Sequence, residues 1–158
     1  MIDAPEALIF TMLRDSSHWP DLAGLTDYAE RVSGDDSSHD LRTSVVVNGS
    51  LSSSHCHRIF DADGRHAGFR QLGLEAPPVH LGGDWEIRPS DGGTVVTLNH
   101  EFEVEADDEG LSKMIHANIV DFSRRELEAL RLSCERLARL LQQPSTGAAA
   151  ANAAAREA

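Results

Sequence analysis

Hydrophobic positions along this chain follow two different periods, and the changes between them divide it into three stretches. Near the start, "DAPEALIFTMLRD" sets Leu8, Met12 and Leu13 at helical spacing behind Pro5, a residue suited to a first helical turn, so a short helix is predicted from Asp3 or Ala4. "SSHWPDLAGL" follows with a Ser cap, a Pro and a Gly, and reads as a further helical turn or loop. The runs then become strand-like, over 27–33, 39–48, 50–60, 65–73, 83–89 and 93–105, separated by "SGDDSS", "NG", "DADG", "APPVHLGG" and "SDGG". Short turn signals between β-rich runs predict antiparallel hairpins, hence a six-stranded meander.

From Asp107 the period lengthens again. Behind the acidic capping segment "DDEG", Leu111, Ile115, Ile119, Phe122, Leu130, Leu137 and Leu141 recur at helical spacings and predict one long amphipathic helix. At 1.5 Å per residue, about 33 residues reach roughly 50 Å, so the apolar stripe is expected to lie across the sheet while one end projects. Pro144 stops the helix, and "STGAAAANAAAREA" has no apolar pattern; 143–158 is expected to be a disordered tail on a domain of residues 1–142. A short helix, a curved antiparallel meander and a long C-terminal helix together describe an α+β cup, with a cavity expected between helix and sheet.

Composition narrows the partners. A chain of 158 residues fits one domain, and a formal charge of −12 with only 14 Lys plus Arg argues against nucleic acid, which demands a basic face. No apolar run approaches the roughly 20 residues that span a bilayer. "MIDAPEALIF" has no basic region leading into an apolar segment, so no secretory signal is seen and a cytoplasmic location is expected. The two cysteines, Cys56 and Cys134, lie far apart and read as free thiols.

Candidate chemistry concentrates in "NGSLSSSHCHRIF", where strand alternation separates Ser54, Cys56 and Arg58 from His55 and His57. "HCH" is not read as a metal site, because the two histidines lie across the strand from the cysteine and spacing fixes no third ligand. A nucleophilic Cys56 would need a lowered pKa and an adjacent base, so it is read as a small pocket-lining thiol. For Arg58, a guanidinium paired with Asp84, Glu86 or Asp121 stands beside a ligand-binding role. For His100, a hydrogen-bonded core residue stands beside a proton shuttle. Trp19 and Trp85 read as packing residues, Trp85 also as a candidate cavity wall. Arg124, Arg125, Arg131, Arg136 and Arg139 alternate with Glu126, Glu128 and Glu135 and read as a solvated helix face.

The segments "IDAPEALIFTMLRDSSHWPDL", "VVVNGSLSSSHCHRIFD", "GFRQL", "APPVHLGGDWEIRP" and "GTVVTLNHEF", in that order, resemble the polyketide aromatase/cyclases of the tetracenomycin type, helix-grip proteins of the START/SRPBCC superfamily. The resemblance runs through most of 2–140 and implies a START-like curved antiparallel sheet around the long helix. With Phe60, it turns the even positions of the third strand inward and His55 and His57 outward. Ser54, Cys56 and Arg58 then occupy positions where relatives commonly carry Trp, Ser and Arg, which widens the pocket. Arg58 matches the residue assigned to a substrate ketone oxygen, and His100 in "TLNHEF" matches a pocket histidine. Positions where relatives carry Asp or Asn on the long helix fall near Val120 and Phe122, beside Asn118 and Asp121.

What the resemblance implies is regiospecific aldol cyclisation and dehydration of a linear poly-β-ketone. Arg58 and His100 would be catalytic, with Ser54, Cys56, Phe60, Phe69, Trp85, Asn118, Asp121 and Phe122 lining the substrate. No metal or organic cofactor is required by that chemistry. The substrate would arrive on an acyl carrier protein met by Arg70 and the helix arginines, with no membrane or nucleic-acid partner and a homodimer left open. Two alternatives stand beside it: the same cup holding a lipid or aromatic polyketide without chemistry, and a structural subunit of a hetero-complex.

Overall fold

The computed structural model describes residues 1–21, 25–47, 49–75, 77–104 and 108–143. The Ala-rich tail expected to be disordered lies outside the described residues from 144 onward. Helix α1 spans Glu6–Arg14, with Pro5 before it, and buries Ile9, Phe10, Met12 and Leu13 on one face. A 3₁₀ segment, Ser16–Asp21, leads towards the sheet. The six strands β1 (Thr26–Gly34), β2 (Ser38–Val47), β3 (Ser50–Phe60), β4 (His66–Gln71), β5 (His80–Ser90) and β6 (Gly93–Glu103) pair antiparallel in chain order, the meander that the turn signals predict. Two register irregularities in β1, between Thr26 and Tyr28 and between Arg31 and Ser33, bend that edge of the sheet.

Helix α2, Glu109–Gln142, begins where the Asp108 side chain accepts a hydrogen bond from the Leu111 amide at 2.9 Å. Its buried positions, Ile115, Glu126, Ala129, Leu130, Cys134 and Ala138, face the sheet and α1.

Strand β5 begins at His80, three residues before its expected start at Gly83, so that Gly82 lies inside the strand and Gly83 is no longer at its edge. Close approach calls for a glycine there. A Cβ on Gly83 would lie 2.0 Å from the Asn99 carbonyl oxygen and 3.0 Å from the tip of the Phe69 ring.

The registers lay out the inner face in rows, since residues directly opposite one another share a face. One row runs Phe60, Ala67, Trp85, Leu98. Its first three members belong to the core with Ile9, Phe10, Leu13, Leu130 and Cys134, closed by α1 and the C-terminal half of α2. Burying aromatic side chains such as Phe60 and Trp85 contributes roughly 2–3 kcal/mol each to holding that end shut. The next row runs His39, Arg58, Phe69, Gly83, His100 across five strands. There the inner face turns polar.

Candidate functional site

Arg58 sits at the boundary between the two rows. Only 2% of it is exposed, and its guanidinium lies over the faces of Trp19 and Phe60, 4.6 and 5.2 Å from the ring centroids. Its Nη1 donates to the Leu13 carbonyl at 2.8 Å. Leu13 is in the last turn of α1, where carbonyls lack intrahelical partners and the helix dipole favours a cation. The Trp19 indole N–H in turn donates to the Met12 carbonyl at 3.1 Å, which fixes the ring that covers the arginine. Arg58 Nη2 is buried with no hydrogen-bond partner. The carboxylate partners expected in sequence are engaged elsewhere: Asp84 accepts from Asn99, Glu86 pairs with Arg88 and Asp121 pairs with Arg124.

The acidic group that Arg58 does feel comes from α2. Glu126, expected on a solvated face with Glu128 and Glu135, is buried on the sheet side of the helix. Burial pushes its carboxyl up to about 7, and the attraction of Arg58 only partly offsets that rise. Cys56, on the same face, has its thiol raised by burial and drawn down by Arg58. The signal for Glu126 was present in the sequence: it stands four residues after Phe122 and four before Leu130, within the apolar stripe.

At the other end of the polar row, His100 is half-buried, its ring 5.3 Å from that of Phe69 in an edge-to-face contact. Both ring nitrogens are buried without partners, and burial lowers its pKa, favouring the neutral imidazole. The missing side chain at Gly83 leaves the room in which Phe69 meets it. His39, which the sequence reading did not single out, begins the row. Its exposure is 1%, its ring lies 5.1 Å from that of Phe60, and its Nδ1 is 3.0 Å from the Asp35 carbonyl.

The alternation expected along β3 is seen at its second half: Cys56, Arg58 and Phe60 are buried and Ile59 is exposed. Ser54 is half-buried and donates to Gln71 Oε1 at 2.8 Å. His57 is on the outer face, its Nδ1 2.7 Å from Asp40 Oδ1 and its Nε2 3.2 Å from Ser38 Oγ, a satisfied chain that ties β2 to β3. His55 is also half-buried, at a position of the same outward parity, opposite Arg42. Phe69 and Phe122 are partly buried and pack against the core, whereas Trp85, at 2% exposure, belongs to the core itself. Asn118 and Asp121 are exposed on α2, so the structure does not bring them to Arg58. Nor are the helix arginines a uniform basic rim. Arg124 and Arg131 make pairs within the helix, and Arg125 donates to the Val46 carbonyl at 2.7 Å. Among the described residues, no cluster of three or more His, Cys, Asp or Glu could hold a metal ion, and no helix is long and apolar enough to cross a membrane.

No family model matches the chain. Over 135 residues it is 29% identical to the actinorhodin polyketide synthase bifunctional cyclase/dehydratase of Streptomyces coelicolor, in an alignment covering 84% of this chain and 42% of that protein. Among solved structures it is similar to the Zhui aromatase/cyclase of Streptomyces sp. R1128, with TM-score 0.79, 24% identity, and 90% and 94% of the two chains covered. The di-domain ARO/CYC BexL from the BE-7585A biosynthetic pathway matches with TM-score 0.75 and 16% identity, over 85% of this chain and 47% of that one. This chain therefore spans less than half the length of the first and third of these proteins. The likeness to the solved structures establishes the helix-grip fold.

Proposed function

We propose that this protein is a polyketide aromatase/cyclase, directing aldol cyclisation and dehydration of a linear poly-β-ketone held between the sheet and α2. The observation that carries the reading is Arg58: buried, held by Leu13 and two aromatic faces, and left with an unpartnered Nη2. An unsatisfied buried donor costs about 1–3 kcal/mol, more when charged, so its retention points to a ligand oxygen that completes it. The names of the cyclase relatives support the same chemistry.

In that chemistry one methylene carbon of the chain attacks one ketone carbon. Arg58 hydrogen-bonds an oxygen of the attacking β-diketone unit, lowering the barrier to its enolisation and stabilising the enolate oxygen that forms. Glu126, with a carboxyl near pH 7, suits both directions of proton transfer. As the carboxylate it removes a methylene proton; as the acid it then returns that proton to the new alkoxide. Dehydration repeats the cycle, the carboxylate taking the next α-proton and the acid protonating the departing hydroxyl as water. His100, three strands from Arg58 and so roughly 14 Å away along the row, bonds a distal oxygen of the same substrate and shuttles its proton. The substrate is delivered on an acyl carrier protein in the cytoplasm, with Arg70 on the exposed outer face as a contact for the carrier's acidic surface.

Co-expression with a minimal polyketide synthase tests this. The wild type is expected to divert spontaneous shunt products into one cyclised product. Arg58→Met, which keeps much of the buried volume, is expected to lose that diversion, since removing one donor to an oxyanion costs roughly 10²–10³ in rate. An unchanged product pattern from a folded Met variant overturns the assignment and leaves the non-catalytic carrier for a lipid or aromatic polyketide.

A further inference from the structure

Arg58 is not alone in lacking a partner. Its cross-strand neighbour His39 is equally buried, and its Nε2 has no hydrogen-bond partner. The tautomer follows from the other ring nitrogen: the Asp35 carbonyl can only accept, so Nδ1 carries the proton and donates to it at 3.0 Å. Nε2 is therefore a bare lone pair. Burial lowers the His39 pKa, the bond to the Asp35 carbonyl only partly offsets this, and the neighbouring Arg58 charge lowers it further, which keeps that lone pair free. Arg58 Nη2, by contrast, offers a proton. The two side chains start roughly 5 Å apart on opposing strands and rest against the same Phe60 ring, yet they do not bond each other.

A ketone oxygen would satisfy only half of this pair, because it accepts and cannot donate. A hydroxyl does both. We propose that His39 and Arg58 together form a subsite for one hydroxyl oxygen, an enol or phenol of the substrate or product, which accepts from Arg58 Nη2 and donates to His39 Nε2. The inference rests on the cyclase reading for its choice of ligand class, and it deepens that reading. The β-diketone unit would be held in its enol form, and the finished aromatic ring would be recognised by its phenol. His39 is then a determinant of specificity at the subsite, reading the proton that distinguishes an enol from a ketone.

Three small probes separate the cases without any polyketide: 2-naphthol, its methyl ether 2-methoxynaphthalene, and the ketone 2-tetralone. Titrated into the full chain by calorimetry, 2-naphthol is expected to bind at least about tenfold more tightly than either analogue, because each leaves a buried polar atom unpaired. His39→Phe, which keeps a ring against Phe60 but removes the lone pair, is expected to bring naphthol and ether to near parity. His39→Gln, whose amide oxygen can stand in for Nε2, is expected to keep the preference, which guards against a Phe variant that folds poorly. Equal binding of naphthol and ether by the wild type overturns the proposal. Equal binding of tetralone and naphthol does so too, leaving Arg58 as a simple carbonyl donor. Failure of all three to bind also overturns it, the two atoms then being closed over a resident water. The cyclase reading is judged separately by the product pattern of Arg58→Met, so either can fail while the other stands.

Discussion

A carboxyl pushed up to about 7 by burial, as at Glu126, keeps a proton in the folded chain that the unfolded chain releases near its ordinary value of 4.5. Between those two values the folded state binds more protons, so its contribution to stability is complete below about 4.5 and is lost as pH rises through about 7. The difference of roughly 2.5 units corresponds to about 3 kcal/mol. Glu126→Gln is expected to remove this slope: thermal unfolding of the variant should change far less between pH 5 and pH 8 than that of the wild type. At pH 8 the variant should be the more stable of the two. It should also lose directed cyclisation, since an amide cannot carry the proton. An unchanged pH slope would mean that Glu126 is solvated and that the acid–base role belongs elsewhere.

Among the elements, α2 is where sequence and structure part most instructively. Its existence and start were legible, because a 3.6-residue period and an acidic cap are local properties. The side on which Glu126 falls was obscured by its neighbours in "SRRELEALRLSCERL", where the density of charge suggests solvent; the three-dimensional stripe through Phe122, Leu130 and Cys134 decides otherwise. Asn118 and Asp121 were expected beside the substrate by analogy of position, yet the stripe in that turn passes through Ile115 and Phe122 and leaves both on the exposed side. On β3, alternation separated Arg58 and Cys56 from His55 and His57, since it is also local, and Phe60 with the family resemblance turned them inward, where they are buried. His39 could not be found that way: its significance comes from the register between β2 and β3, which no single strand encodes. Gly83 is the same kind of residue, read at the junction of loop and strand and found inside β5. Gly83→Ala would drive a methyl to within 2.0 Å of the Asn99 carbonyl and against Phe69. Its expected cost is at least about 2 kcal/mol in a urea unfolding curve, as overpacking typically costs 1–3. A neutral effect would show that β5 and β6 can part there without penalty.

For the molecule as a whole, two thiols report how the helix and the sheet come apart. Cys56 lies on the polar part of the sheet's inner face, whereas Cys134 is fully buried where α2 meets the apolar core, its thiol pushed up to about 12 by burial. Reaction with a thiol reagent in the native state is expected to be slow at both sites, with Cys56 modified first, because opening the polar end leaves the α1 contacts intact. Saturating 2-naphthol should slow Cys56 further. If Cys134 reacts first or in step with Cys56, the cup opens as one unit and the division into a closed apolar end and a looser polar end is wrong. The row from Arg58 to His100 has a last consequence. Its two ends lie on β3 and β6, so the gap over which the proposed substrate would be drawn out depends on how tightly the sheet coils. Which carbons meet in the proposed reaction then becomes an elastic property of the protein. A change at the β1 irregularity between Arg31 and Ser33, on the strand that pairs beside His39, acts on the product as tightening a caliper acts on what it grips.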